Sequence, residues 1–188
     1  PNDAEDFHPY NRDPKTLARP WALPGTPGLE HRIGGLEKED ITGNVSYDPE
    51  NHEHMVQVRN QKVANIASDI LPQQVDGPKN GRLLVLSWGG TFGVCTTAVQ
   101  EVQRQGGSVA HAHLRYVNPF PANLRDIVSR YDDVLIPELN LGQLRMLVQS
   151  NFLVETVGLN KVQGKPFTVA EITNEIQRLL GSENNAEA

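Results

Sequence analysis

The sequence predicts an α/β fold: a three-layer sandwich with a mostly parallel sheet, preceded by an irregular segment and a helix. From residue 82 onward, short apolar runs alternate with helical patterns of about 10 to 15 residues, which is typical of βαβ units. Such units have right-handed crossovers and therefore build a parallel sheet. Residues 1–48 differ, because they show no sustained apolar period and contain repeated prolines.

Composition limits the classes of function. The chain of 188 residues has a net charge of −6, which disfavours a nucleic-acid or anionic-membrane surface. No apolar run approaches the roughly 20 residues that a membrane span needs. Cys95 is the single cysteine, so an internal disulfide, a cysteine-ligated iron–sulfur cluster and a zinc knuckle are excluded. We expect a cytoplasmic protein, and its start at Pro1 indicates a piece of a longer chain.

The first segment, residues 1–48, is predicted to be irregular. Its stretch "LPGTPG" is typical of consecutive turns, and the segment is too polar to predict a core of its own. Trp21 and Leu23 indicate that it nevertheless docks on something, because large apolar side chains are seldom kept in a free tail.

A helix is predicted to follow. Asp48 is placed to cap its first turn, Pro49 suits the first helical position, and Pro72 ends it. Apolar residues that recur with a period of about 3.6 predict one buried face. These residues are Met55, Val58, Val63, Ile66 and Ile70. We assign residues 49–81 to this connecting helix and the loop after it.

Residues 82–180 are predicted to form the α/β domain, with a polar tail at 181–188. Thr168 and Glu171 have the spacing of a capping box, which predicts a last helix ending at Leu180. The remaining predicted helices are residues 91–104, 122–131 and 141–150. The predicted strands are residues 82–87, 108–115, 133–138 and 151–158, with a short fifth at 161–164.

The strand ends indicate where a ligand would bind. In an open α/β sheet, ligands lie beyond the carboxyl ends of the strands. The segments at those ends are residues 88–93, 114–118, 137–140 and 158–160.

The turn "WGGTFG" after the first strand is similar to a dinucleotide-binding fingerprint. Gly90 and Gly93 fit the second and third glycines, but Trp88 occupies the position of the first, where only glycine permits the tight turn. His113 and Arg115 stand where a ribose-binding acid is expected, and the P-loop G-K-[ST] is absent. The glycines are therefore predicted only to let the chain change direction between the strand and the helix. The start of that helix can still bind a carboxylate or phosphate.

Two histidine pairs have spacings that need an interpretation. His111 and His113 share one face of a strand, which suits zinc, but helices cover both faces of such a sheet and no third ligand is evident. We therefore predict packed, hydrogen-bonded histidines. His52 and His54 diverge by about 200° around a helix and cannot share a metal.

The stretch "PELN" is the densest polar cluster. Asn140 is predicted to cap the next helix, with Gln143 reaching back. Glu138 is then predicted to be free to contact a neighbouring domain, so that Glu138→Gln leaves the melting temperature nearly unchanged. Cys95 lies on an apolar helix face and is predicted to be a buried, inert thiol.

Four stretches together carry a family resemblance: "LLVLSWGGTFG", "GGSVAHAHLRYVNPFPANL", "VLIPELNLGQLRMLVQ" and "NKVQGKPFTVAEI". They resemble the alpha subunit of 2-oxoacid:ferredoxin oxidoreductases, especially the 2-oxoglutarate enzymes. The resemblance covers residues 82–180, as a transketolase C-terminal-like domain. "RPWALPGTPGLEHRIGGLEKED" and "DPENHEHMVQVRNQKVANI" are similar to the end of the preceding domain and the helix that leaves it.

The resemblance implies part of an enzyme. The complete complex decarboxylates a 2-oxoacid on thiamine diphosphate, passes electrons through an iron–sulfur cluster to ferredoxin, and transfers the acyl group to coenzyme A. It implies that thiamine diphosphate, magnesium and the cluster are bound elsewhere, with a beta subunit as partner. This chain would then contain no catalytic, cofactor-binding or metal residue and would be inactive alone.

What remains for this chain is a candidate interface or anion-facing loop. Its residues are Gly89, Gly90, Thr91, Gly93, Glu138 and Asn140. The alternatives are a free-standing nucleotide-binding module, which would use Gly90, Gly93 and Arg115, and a pure subunit-assembly module.

Overall fold

The computed structural model describes residues 5–181, and the predicted tail beyond Gly181 lies outside them. The chain divides into two compact units, Pro1–Asp69 and Ile70–Ala188. The predicted connecting segment 49–81 is therefore split, with its helix in the first unit and its loop in the second.

The first unit ends in helix α1, Pro49–Asn65, and a 3₁₀ turn, Ile66–Asp69. The start is as predicted, since Asp48 Oδ1 accepts a hydrogen bond of 3.0 Å from the Glu50 backbone N–H. The predicted end at Pro72 and the predicted buried face are wrong. Met55 is fully buried and Val58 and Ile70 are half-buried, but Val63 and Ile66 are exposed, so the apolar period does not follow the covered face of the helix.

Residues 5–48 contain no regular helix or strand among the described residues, as the sequence predicted. Isolated bridges join Tyr10 to Ile41 and Lys38 to Val45. Lys38 is 2% exposed, and its ammonium group donates to two carbonyl oxygens of its own loop, those of Gly34 and Leu36. These polar contacts replace an apolar core in fixing the loop.

The predicted docking residues of this segment are exposed. Trp21 is 85% exposed and Leu23 is 70% exposed, while Leu29 is buried. Both side chains are open to solvent in this chain, and their docking on another surface stays a prediction.

The second unit is built on a parallel sheet of four strands in the order β2–β1–β3–β4. Strands β1 and β3 are central and nearly continuous in buried apolar residues, as a sheet covered on both faces requires. The strands are β1 Gly81–Trp88, β2 Val109–Leu114, β3 Tyr131–Glu138 and β4 Val157–Asn160.

Helices cover both faces of this sheet. One core cluster joins α2 and α5 to Leu83, Val85 and Leu135 of the central strands. The other joins α3 and α4 to the residues that point the opposite way, such as Leu84 and Ile136. The predicted three-layer α/β sandwich is confirmed. The helices are α2 Phe92–Arg104, α3 Leu124–Val128, α4 Gln143–Phe152 and α5 Val169–Gly181.

In this unit two predicted boundaries and one predicted strand are wrong. The helix predicted at 122–131 ends at Val128, because Tyr131 already begins β3 and its hydroxyl donates to the Pro78 carbonyl at 2.6 Å. The strand predicted at 151–158 begins only at Val157, because α4 continues and Leu153 ends it in the left-handed conformation. Residues 161–164 are a loop, not a fifth strand.

The predicted capping box of α5 is confirmed. The Glu171 carboxylate accepts from the Thr168 backbone N–H at 2.7 Å, and the Thr168 hydroxyl accepts from the Glu171 N–H. Lys161 donates to the same carboxylate at 2.9 Å. These contacts lower the pKa of Glu171 to about 2, with the Lys161 hydrogen bond the largest cause.

Candidate functional site

The topology places a crevice at the carboxyl ends of β1 and β3. The chain leaves β1 for β2 on one side, and leaves β3 for β4 on the other. This reversal is the switch point at which open α/β sheets bind ligands. Two predicted site segments, the glycine turn after β1 and the "PELN" stretch after β3, therefore meet at one edge of the sheet.

The glycine turn is a single 3₁₀ turn, Gly89–Thr91, that leads into α2. Gly89 has φ +56°, which favours glycine, and a Cβ added at Gly89, Gly90 or Gly93 would meet nothing within 4 Å. The turn does change the chain direction, as predicted. Its glycines also leave open space at the edge of the sheet, because no side chain of the unit packs on them.

Thr91 closes this turn from inside. Its hydroxyl donates to the Trp88 carbonyl at 2.8 Å and accepts from the Trp88 backbone N–H at 3.3 Å. Thr91 is 4% exposed. Within this unit Thr91 is a tether of the turn, and the exposed positions are the three glycines.

Glu138 differs from its prediction. It is 1% exposed, and its carboxylate oxygens accept from the backbone N–H groups of Leu144 at 2.8 Å and Arg145 at 3.1 Å. These donors belong to the first turn of α4, whose partial positive charge a carboxylate stabilises. The expectation that Glu138 is free is therefore wrong, because α4 begins directly above it.

Asn140 bonds to the start of the same helix, as predicted, but Gly142 is the N-cap residue, and the predicted contact from the Gln143 side chain back to Asn140 is absent in the described part of the chain. The Oδ1 of Asn140 accepts from the backbone N–H of Gly142 at 2.7 Å and of Gln143 at 3.3 Å. Asn160, at the end of β4, donates to the Asn140 carbonyl at 2.9 Å. The first turn of α4 is thus satisfied by the chain itself, whereas no side-chain hydrogen bond caps α2 at Thr91.

Behind the glycine turn lies a cluster of polar side chains. Ser87 Oγ lies 2.7 Å from His111 Nε2 and 2.8 Å from His113 Nδ1. Phe92 stacks on His111 and meets His113 edge-on, with ring centroids 6.2 and 4.9 Å apart. Burial lowers the pKa of His111 to about 4, and it also lowers the pKa of His113. The prediction of packed, hydrogen-bonded histidines is confirmed.

Ser87 was missed by sequence reasoning. It lies within an apolar strand, where a serine carries no signal of its own. Its partner could have been found from the register, because Ser87 pairs with His113 across β1 and β2. Strands that pair in parallel bring such neighbours together only once the strand order is known.

His52 and His54 belong to the first unit. His52 Nδ1 is 2.7 Å from Glu37 Oε2, and His54 Nε2 is 3.2 Å from Asp40 Oδ2. The two histidines thus contact different carboxylates and do not face a common metal position, as predicted. In the part of the chain that the structure describes, no three His, Cys, Asp or Glu side chains are grouped to hold a metal ion.

Cys95 is fully buried on α2, and burial raises the pKa of its thiol to about 12. The inert thiol predicted from the sequence therefore remains protonated at neutral pH. We expect Cys95 in the folded chain to react with a thiol-specific disulfide reagent at pH 8 far more slowly than in denaturant, by about a hundredfold or more. A stopped-flow absorbance measurement checks this, and equal rates would contradict the burial of the thiol.

None of the helices between residues 5 and 181 is long and apolar enough to cross a membrane.

The fold and the site at its edge define an α/β domain. One side of its crevice is an open glycine turn, and the other is the start of α4, whose backbone N–H groups bond to Glu138 and Asn140. Over almost its whole length this chain is homologous to part of the alpha subunit of 2-oxoglutarate:ferredoxin oxidoreductases, so the resemblance read from the sequence is confirmed. No protein-family model matches the chain.

Two curated relatives illustrate this. The 2-oxoglutarate oxidoreductase subunit KorA of Mycobacterium tuberculosis is 48% identical over 177 residues, which cover 94% of this chain and 27% of that protein. Subunit alpha of the 2-oxoacid:ferredoxin oxidoreductase 2 of Aeropyrum pernix is 26% identical over 154 residues, which cover 79% of this chain and 24% of that protein. The chain thus spans about a quarter of the length of these relatives.

A solved structure agrees. The 2-oxoglutarate:ferredoxin oxidoreductase from Magnetococcus marinus, solved with 2-oxoglutarate, coenzyme A and succinyl-CoA bound, superposes with a TM-score of 0.83 and 26% identity. The match covers 93% of this chain and 31% of that one.

Proposed function

We propose that this chain is a non-catalytic, transketolase C-terminal-like part of the alpha subunit of a cytoplasmic 2-oxoacid:ferredoxin oxidoreductase, with 2-oxoglutarate as substrate. The observation that carries the proposal is the 48% identity to M. tuberculosis KorA over 94% of the chain. The complete complex would form acyl-CoA and CO₂ on thiamine diphosphate and pass electrons to ferredoxin. Within it, residues 1–48 would be the end of the preceding domain, residues 49–81 the connection, and residues 82–180 the α/β domain.

The donor chemistry of this chain does not fit the cofactors of that reaction. An iron–sulfur cluster needs several thiolates, and Cys95 is the single cysteine, buried and protonated. The Glu138 carboxylate at the crevice is a natural magnesium ligand, but it is 1% exposed and each of its oxygens already accepts from the first turn of α4. We therefore assign thiamine diphosphate, magnesium and the cluster to other parts of the complex, including its beta subunit.

The role that remains is assembly, and exposed apolar side chains support it. After β3, Leu139 is 42% exposed and Leu141 is 80% exposed, and Val162 after β4 is 64% exposed. Together with the open glycine turn they line the carboxyl edge of the sheet. Exposed apolar surface of this kind marks protein contacts. We infer that this edge, with Gly89, Gly90 and Gly93, faces a neighbouring domain or subunit.

A pure assembly module and a nucleotide-binding module differ in the group that would bind at the start of α2, which is a side chain of a partner in the first case and a phosphate in the second. No side-chain hydrogen bond caps α2 at Thr91, and the 3₁₀ turn Gly89–Thr91 before it is exposed at its glycines, so an anion or a partner's carboxylate can approach the backbone here. Trp88 in place of the first fingerprint glycine favours the partner. We therefore rank assembly above dinucleotide binding.

The experiment compares two exposed leucines in the alpha subunit assembled with its beta subunit. Leu141 lies at the carboxyl edge, while Leu153, 87% exposed, lies at the opposite end of α4. Leu141→Glu is expected to weaken association by about tenfold or more, because a buried, unpaired carboxylate is costly. Analytical ultracentrifugation measures this, with Leu153→Glu as the matched control. Equal, undiminished association of both variants would contradict the edge as an interface.

A further inference from the structure

The polar cluster behind the glycine turn has a defined direction of hydrogen bonding. The Thr96 hydroxyl donates to the Phe92 carbonyl at 2.8 Å, as its geometry along α2 requires. It therefore presents only lone pairs to His111 Nδ1, 3.5 Å away. Two facing lone pairs would repel, so the proton of the neutral His111 ring lies on Nδ1.

The rest of the chain of bonds follows from this proton. His111 Nε2 then lacks a hydrogen and accepts from the Ser87 hydroxyl. The hydroxyl of Ser87 has one hydrogen, which it already donates to His111 Nε2, so its oxygen accepts from the Nδ1–H of His113. The Nε2 atom of His113, at the far end, is left with a lone pair.

The neighbouring groups preserve this neutral state. Burial is the main cause that lowers the pKa of both rings, and Arg115 lowers that of His113 further. Asp76 acts in the opposite direction on His111, but weakly. Cys95, the remaining ionisable group at Ser87, is a protonated thiol. Both rings are therefore neutral at pH 7.

His113 Nε2 lies beside an open aromatic surface. Among residues 5–181 it has no hydrogen-bond partner, and it is reached by solvent. The Phe92 ring is 54% exposed, although its centroid is 4.9 Å from that of His113. Gly89 and Gly90, just before Phe92, leave room for a flat group to approach the backbone.

We propose that Phe92 and His113 form a binding site for an aromatic heterocycle with an exocyclic amino group. The heterocycle stacks on the exposed Phe92 ring, and its amino group donates to His113 Nε2. Ser87 and Thr96 act as positioning residues, since they decide which nitrogen of His113 lacks the proton. This site adjoins Gly89 and Gly90, which we also assign to the edge that faces a neighbouring domain or subunit, so in the complete complex the partner would lie next to the heterocycle. The experiments below use this chain without a partner, so their outcome does not depend on the assembly proposal.

The first experiment tests the direction of the relay in the whole 188-residue chain. Nitrogen NMR of ¹⁵N-histidine-labelled protein at pH 7 is expected to show His111 and His113 both protonated at Nδ1 and unprotonated at Nε2. Thr96→Val removes the group that sets this direction and is expected to make the His111 tautomer mixed. Thr97→Val is the matched control, because Thr97 also bonds the carbonyl four residues back but does not reach His111. A protonated His113 Nε2 in the wild-type chain would overturn the proposal.

The second experiment tests the ligand class with adenosine and purine riboside, which differ only in the exocyclic amino group. Adenosine is expected to bind about fivefold more tightly, as one hydrogen bond contributes, and to shift the His113 Nε2 resonance. His113→Phe, with its fold checked by NMR, is expected to bind both equally. Equal affinity for both nucleosides in the wild-type chain, or no saturable binding, would overturn the proposal.

Discussion

Glu138→Gln is expected to lower the free energy of unfolding of this chain by about 2 kcal/mol, and the melting temperature by roughly 4 to 8 °C. Each carboxylate oxygen of Glu138 accepts from one backbone N–H at the start of α4, those of Leu144 and Arg145. Glutamine replaces one oxygen with an NH₂ group, which opposes one of these donors inside a buried site. It also removes the charge that complements the helix dipole.

Two further variants make this test specific. Asn140→Ala is expected to cost about 1 kcal/mol, the usual value of a cap, so Glu138→Gln should be the more damaging. Glu155→Gln is the matched control, because Glu155 is exposed and its change should leave the unfolding free energy within about 0.5 kcal/mol. If chemical denaturation gave Glu138→Gln and Glu155→Gln the same stability, the buried carboxylate would not anchor α4.

Acid is expected to destabilise the second unit through His111. Burial lowers the pKa of this ring from 6.5 to about 4, so between these values the unfolded chain binds a proton that the folded chain excludes. The stabilisation is fully present above pH 6.5 and is lost as the pH falls towards 4, with a total of about 3 kcal/mol. Protonation would also place a donor on both ring nitrogens, so His111 Nε2 could no longer accept from the Ser87 hydroxyl 2.7 Å away.

The pH dependence separates this effect from the carboxylates that titrate nearby. Denaturation curves at pH 7, 6, 5 and 4 are compared for the wild type, His111→Asn and His8→Asn, the last at an exposed histidine. His111→Asn is expected to be less stable at pH 7 but to lose about 3 kcal/mol less on acidification. An unchanged slope in His111→Asn would contradict a ring that is buried and neutral.

The helix starts that depend on residues close together in the chain could be predicted from the sequence. Asp48 with Pro49, and Thr168 with Glu171, carry helix-start signals that depend only on neighbours in the chain. The apolar run before β4 led to a strand start that was predicted too early. Leu153 ends α4 there in the left-handed conformation, which an apolar pattern does not indicate. The predicted buried face of α1 failed for another reason, since periodicity shows what a helix can bury and not what covers it.

The location of the site could be predicted from the sequence, but the roles of its side chains could not. Parallel strands bring their carboxyl ends to one edge, so the glycine turn and "PELN" were expected together there. The roles depend on contacts across the sheet. Ser87 became a partner of His113 only through the β1–β2 register, and Glu138 became an anchor only because α4 starts above it.

We propose that this chain is an interchangeable part of a 2-oxoglutarate:ferredoxin oxidoreductase alpha subunit and that it does not itself catalyse. The most direct measurement replaces the matching segment of M. tuberculosis KorA, which is 48% identical over 177 residues, with this chain. Dye reduction that depends on 2-oxoglutarate and coenzyme A is then assayed for the chimera with its beta subunit, and for this chain alone. We expect turnover by the chimera within about tenfold of the parent enzyme, and none by the chain alone. Turnover by the chain alone, or a folded, assembled chimera without activity, would contradict it.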